Sequence, residues 1–162
     1  MARGKSKAPE AGAVRAGAGV NPKVLVVNDE EGSCELVCRL LAEAGYPVER
    51  AANPDQALSI IDVLRPGCVV LDLSAGGIAR NLQVLDGIRS QLDRTVSSMR
   101  VVLVAHQTST RMFSWQAGTD AFLVRPFHAN ELTAAVADVL ARPDSERVRF
   151  RRQEAAAASH ER

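Results

Sequence analysis

Three runs constrain this chain more than any other feature: Val24-Leu25-Val26-Val27, Cys68-Val69-Val70-Leu71 and Val101-Val102-Leu103-Val104-Ala105. None alternates with polar residues, so each reads as a strand buried on both faces. Each stops abruptly at a polar residue: Asn28, Asp72 and His106. Between the runs the apolar period changes. Cys34, Val37, Cys38, Leu41 and Ala44 recur at helical spacing, and Gly45 follows as a stop. A short strand near residues 48–50 leads to a helix that Asn53-Pro54 opens, with Ala57, Leu58, Ile61 and Leu64 on its apolar face. Further helices are expected over residues 82–92, 111–117 and 128–140, with a last strand over 121–124. Five strands, each followed by a helix, specify an α/β domain, a doubly wound five-stranded parallel sheet covered on both faces. In that architecture chemistry gathers at the carboxyl ends of the strands, here just after Val27, Leu71, Ala105 and Val124.

The 162 residues suit one domain, which the pattern places at 23–142. Hydrophobic residues make up 46% and aromatics 4%, so aliphatic side chains fill the core. Residues 1–22 carry Arg3, Lys5, Lys7 and Arg15 against Glu10 without apolar periodicity and read as a disordered basic tail. Residues 143–162 form a charged Ala/Arg-rich extension, helical or disordered, in which only Val148 and Phe150 offer apolar anchors. Twenty basic and nineteen acidic residues leave a net charge of +1, which points to neither nucleic acid nor a membrane surface. No apolar run approaches the roughly 20 residues of a membrane span, and no secretory h-region opens the chain, so a cytoplasmic location is expected. Three cysteines define no disulfide framework or zinc site, and Cys34 and Cys38 read as small buried thiols.

The strand ends read Asn28-Asp29-Glu30-Glu31, Asp72, Val104-Ala105-His106 and Arg125-Pro126-Phe127. Together with Gly45-Tyr46, Ala57-Leu58 and Gly118-Thr119-Asp120, this series resembles the response-regulator receiver domain of two-component signalling, a flavodoxin-like (βα)5 fold, over about 120 residues. The resemblance implies that Asp72 is the phosphoacceptor, receiving a phosphoryl group from a sensor histidine kinase or a phosphotransfer protein. It implies a Mg²⁺ ion held by Asp29 and Asp72, by Asn28 through water and by the backbone carbonyl of Ser74. It places Arg125 at the lysine position, Val104 at the Thr/Ser switch position and Phe122 at the aromatic switch position. It assigns output to a downstream protein that docks on roughly Thr110 to Ala141, with homodimerisation left open and no output enzyme expected. Three residues depart from the family pattern. Asn28 replaces an acid, Arg125 broadens a compact ammonium into a planar fork, and Val104 lacks the hydroxyl that would bond a phosphoryl oxygen. These departures make a phosphorylation-independent pseudo-receiver, acting as a protein-interaction module, the alternative reading. After Asp72, the stretch Leu73-Ser74-Ala75-Gly76-Gly77 lacks a proline-containing turn and is expected to be flexible. His106, at the edge of the site, stays outside the catalytic set.

Overall fold

The computed structural model describes residues 20–161. The elements run β1 (Val24–Asn28), α1 (Glu31–Glu43), β2 (Val48–Ala51), α2 (Pro54–Leu64), β3 (Cys68–Asp72), α3 (Ile78–Arg89), α4 (Arg94–Ser97), β4 (Arg100–Ala105), α5 (Arg111–Ala117), β5 (Ala121–Val124), α6 (Ala129–Ala141) and α7 (Asp144–His160). All strand pairs are parallel, in the order β2-β1-β3-β4-β5. The chain reverses direction across the sheet between β1 and β3, and there Asn28 lies in register with Asp72.

Period-two alternation divides the core. Leu25, Val27, Val69, Leu71 and Leu103 pack toward α2 and α3, whereas Val24, Val26, Val70, Val102 and Val104 pack toward α1 and α6. The three cysteines are free and buried; burial and the neighbouring Cys34 push the Cys38 thiol up to about 11, so it stays protonated. The basic tail expected at 1–22 lies outside the described residues up to position 19. Asn21 is tied down, its amide donating to the Gly45 carbonyl at 2.8 Å.

The helix expected at 82–92 instead spans Ile78–Arg89. Its first turn combines the partly buried Ile78 with an inward-facing polar residue, which adds nothing to an apolar period. Asn81, 1% exposed, accepts from the Leu73 N–H at 2.8 Å and donates to the carbonyls of Leu73 at 3.1 Å and Val104 at 3.3 Å. One amide thus ties α3 to the ends of β3 and β4. The turn α4 was not expected; Asp93 caps it by accepting from the Thr95 N–H at 2.9 Å.

The C-terminal extension is the long helix α7, laid against α5. Phe150 meets Trp115 edge-on with ring centroids 5.7 Å apart, and the Arg142 guanidinium lies 3.5 Å over the Phe150 ring. Val148, by contrast, is half exposed and anchors nothing. The main anchor is ionic. Asp120, 2% exposed, accepts from Arg147 Nε at 3.0 Å and Arg151 Nη2 at 2.7 Å on one oxygen. Its other oxygen takes Arg89 Nη2, Arg147 Nη2 and the Val101 N–H at 2.9–3.0 Å. Burial alone would raise the Asp120 carboxyl, but the Arg147 hydrogen bonds and the charges of Arg151, Arg147 and Arg89 hold it below the ordinary 3.8.

Asp120→Ala strands these arginines and is expected to cost about 3–5 kcal/mol, measured by urea denaturation at pH 7. Because the folded value is depressed, this contribution is complete above the ordinary value and fades as pH falls through the folded one. Stability against pH should therefore drop in that acid limb for the wild type and less steeply for Asp120→Asn. Asn81→Ala leaves the Leu73 N–H and carbonyl unpaired, at about 1–3 kcal/mol for each buried group. Denaturation measures this loss, and limited proteolysis should show earlier cleavage within residues 74–77.

Candidate functional site

Strand β3 ends on Asp72, whose carboxylate is 3% exposed although it lies at the solvent end of the sheet. An ionised carboxylate there needs partners. Arg125, the residue after β5, supplies them: its Nη2 contacts Asp72 Oδ2 and its Nε donates to Oδ1 at 3.2 Å, a two-pronged pair. From β1, the Asn28 amide donates to the same Oδ2 at 2.9 Å. Burial holds the Asp72 carboxyl above the ordinary carboxylate value despite Arg125 and the more distant charge of His106, and the charge of Asp29 adds to the rise.

Ser33, in the first turn of α1, completes the cluster. Its hydroxyl oxygen accepts from Arg125 Nη2 at 2.9 Å and from Asn28 Nδ2 at 3.2 Å. The sequence reading missed it. The available signal was its place directly above the β1 end, where the first turn of a following helix must pass. Asn28 Oδ1 in turn accepts from the Glu30 N–H at 2.8 Å, which fixes the amide orientation that aims its N–H at Asp72.

Asp29 points elsewhere. Its oxygens accept from the Ser74 N–H at 2.9 Å, the Ser74 hydroxyl at 2.8 Å and the Ala75 N–H at 2.7 Å. Burial raises its carboxyl, but these hydrogen bonds outweigh burial and leave it below the ordinary value. The loop expected to be flexible for want of a proline is thus clasped at its start by Asp29. It then turns through Gly76 and Gly77, at φ 78° and 66°, with the Gly77 N–H donating to the Ser74 carbonyl at 3.2 Å.

The oxygens expected to hold Mg²⁺ all carry hydrogen bonds within the protein in this arrangement. The two oxygens of Asp72 are engaged by Arg125 and Asn28, the two of Asp29 by the 74–75 segment, and the Ser74 carbonyl by Gly77. Among the described residues no three His, Cys, Asp or Glu side chains converge as a ligand set. Asn28 presents its N–H, not its oxygen, to the acceptor.

Strand alternation also separates the two residues expected to act as one switch. Val104 is buried in the α1/α6 cluster, whereas Phe122, paired with Leu103, packs on the α2/α3 side under the Arg111 guanidinium at 5.6 Å. The sheet lies between them. The β4 residue that shares the face of Phe122 at the strand end is Ala105, which also lacks a hydroxyl.

A family model described as the response regulator receiver domain matches residues 24–137. Response regulator Rre1 of Synechocystis is 34% identical over 122 residues, 74% of this chain and 52% of that protein. Transcriptional regulatory protein PrrA of Mycobacterium tuberculosis is 32% identical over 129 residues, 77% of this chain and 52% of that protein. The chain thus spans about half the length of these relatives. A putative response regulator from Chloroflexus aurantiacus superposes with a TM-score of 0.68 at 26% identity, covering 75% of this chain and 98% of that one. The receiver domain of NtrX from Brucella abortus gives 0.66 at 27% identity, covering 75% and 100%. With the parallel 2-1-3-4-5 sheet and an aspartate closing its central strand, the chain belongs to the response-regulator receiver domain family.

Proposed function

We propose that this receiver accepts a phosphoryl group on Asp72 from the phosphohistidine of a sensor kinase or phosphotransfer protein, and that Arg125 keeps the acceptor closed between transfers. The observation that carries this reading is the Asp72–Arg125 pair: a buried carboxylate at the end of the central strand, neutralised by a cation that is itself a quarter exposed. In the transfer an Asp72 oxygen forms the P–O bond as the P–N bond of the phosphohistidine breaks, and the imidazole nitrogen departs with the bonding pair. Arg125, displaced from the carboxylate, is placed to neutralise the incoming phosphoryl oxygens. Receiver domains generally bind Mg²⁺ beside the acceptor. Here Asp72 and Asp29 would hold the ion with oxygens that also accept hydrogen bonds from Arg125 and from residues 74–75, so binding of Mg²⁺ competes with those contacts.

Output is expected to be weakly coupled to transfer, because neither Val104 nor Ala105 offers a hydroxyl to the modified aspartate. The downstream surface remains the one the resemblance assigns, from Thr110 to Ala141. A second reading has specific support: both Asp72 oxygens are occupied and Asn28 adds a third donor, which suits a pseudo-receiver whose acceptor never opens.

Intact mass after incubation with acetyl phosphate, with and without Mg²⁺, separates the two. Addition of one phosphoryl group to wild type and not to Asp72→Asn supports the first reading. No adduct under either condition, with a phosphohistidine donor also failing, selects the pseudo-receiver. If the adduct forms, Ala105→Ser should strengthen the phosphorylation-linked conformational shift by about tenfold or more, since a hydrogen bond to a charged group is worth about 1.5–3 kcal/mol. Val104→Thr, on the face away from Phe122, should leave the NMR shifts of Phe122 unchanged.

A further inference from the structure

The helix α7 is built differently from the rest of the fold. Its inward stripe reads Arg147, Phe150, Arg151, Glu154, Ala155 and Ala158, so cations and small residues occupy positions where α1 or α6 place Val and Leu. No residue of α7 enters either hydrophobic cluster, and Trp115 beneath it belongs to neither. The sheet core is therefore complete without this helix. Only Arg142 and Pro143 join it to α6, and the helix runs back along α5, from Asp120 past Trp115 to an Arg111–Glu161 ion pair at 3.3 Å.

Among the described residues the seam is also the one place where buried side-chain hydrogen bonding is left incomplete. The only buried side-chain nitrogens without a partner among the described residues are Trp115 Nε1 and Arg151 Nε, one on each side of it. A permanent interface in a close-packed interior rarely leaves such donors stranded. An ionic seam outside both hydrophobic clusters, with two orphaned donors, suits an element that docks and undocks.

We propose that α7 is a releasable strap over α5, and that its release uncovers a helix-docking surface centred on Trp115 and Asp120. The proposal does not rest on phosphorylation of Asp72. Charge complementarity specifies the occupant. Once Arg147 and Arg151 leave, the buried Asp120 carboxylate keeps only Arg89 and the Val101 N–H, and one of its oxygens is left without a partner, so the replacement must bring cations. It must also bring an aromatic ring to Trp115. The partner is therefore a helix carrying arginines three residues before and one residue after an aromatic residue, as in the Arg147-Phe150-Arg151 pattern.

Native-state hydrogen exchange on the full chain tests the release directly. The amides of α7 should exchange through openings at least tenfold more frequent than those that expose β3. Equal protection of α7 and β3 would overturn the strap, because the helix would then open only with the whole domain. The protein has a single tryptophan, so its fluorescence reports the seam alone. Phe150→Ala should raise acrylamide quenching of Trp115 severalfold while the far-UV signal of the core persists at least to the wild-type transition of β3 exchange. Unchanged quenching, or loss of the core together with the seam, counts against release. A labelled peptide of residues 144–161 should bind Phe150→Ala at least tenfold more tightly than wild type, and its Arg147→Gln/Arg151→Gln form should not bind. Equal binding to both proteins, or no binding to the variant, would overturn the docking surface.

Discussion

A carboxylate buried among aliphatic strands must be neutralised, and this domain meets that requirement twice, once at each end of its sheet. Asp72 closes the carboxyl end of β3 and Asp120 precedes β5 at the opposite end, exposed by 3% and 2%. The two solutions differ. Asp120 is held by three arginines and a backbone N–H, and its carboxyl lies below the ordinary range; Asp72 has one arginine and one neutral amide, and its carboxyl lies above it. In the first the charged form is well satisfied while α7 is docked. In the second, burial outweighs Arg125 and Asn28, and the charged form is the less satisfied of the two.

Position follows from register. Pairing Asn28 with Asp72 sets the β1 and β3 ends level, and the next residues of β1 then fall against the loop after β3. Asp29 thereby reaches the Ser74 and Ala75 amides, and Ser33 reaches Arg125 from the first turn of α1. Asn81 performs the matching task from below, where it ties α3 to β3 and β4. These contacts are polar, and they fix strand ends and loops whose path the hydrophobic core alone leaves open.

This explains how far the sequence could be read. The strands follow from apolar runs such as Val24–Val27 and their parallel pairing from the helices between them, so the sheet and the place of the site were legible. The start of α3 was not, because its buried residue is Asn81 and periodicity counts apolar side chains. The docking of α7 was not, because its inward stripe is carried by Arg147 and Arg151 and resembles a solvated face until Asp120 is placed beneath it. The pairing of Val104 with Phe122 failed on parity: residues one apart along a strand face opposite ways, and linear spacing across two strands does not show which residue shares a face. Ser33 and the partners of Asp29 are set by loop geometry, on which composition and period are silent.

The departures from the family at the acceptor site act together rather than separately. Asn28 in place of an acid removes a negative charge and turns an N–H toward Asp72, and it adds a donor where a metal would need an acceptor. Arg125 in place of lysine extends a planar fork that spans both oxygens of Asp72 while its Nη2 also reaches Ser33, a geometry that one compact ammonium does not reproduce. With Asp29 satisfied by backbone N–H groups, the local charge reduces to one carboxylate against one guanidinium. A second cation is then not required for neutrality. Each substitution alone would leave an unmatched charge or an idle donor, and in combination they close the site on itself. On the proposed reading the cost falls on the transfer step: a phosphoryl donor would compete with Arg125 for the Asp72 oxygens, and the strength of that pair would govern how readily the domain is modified.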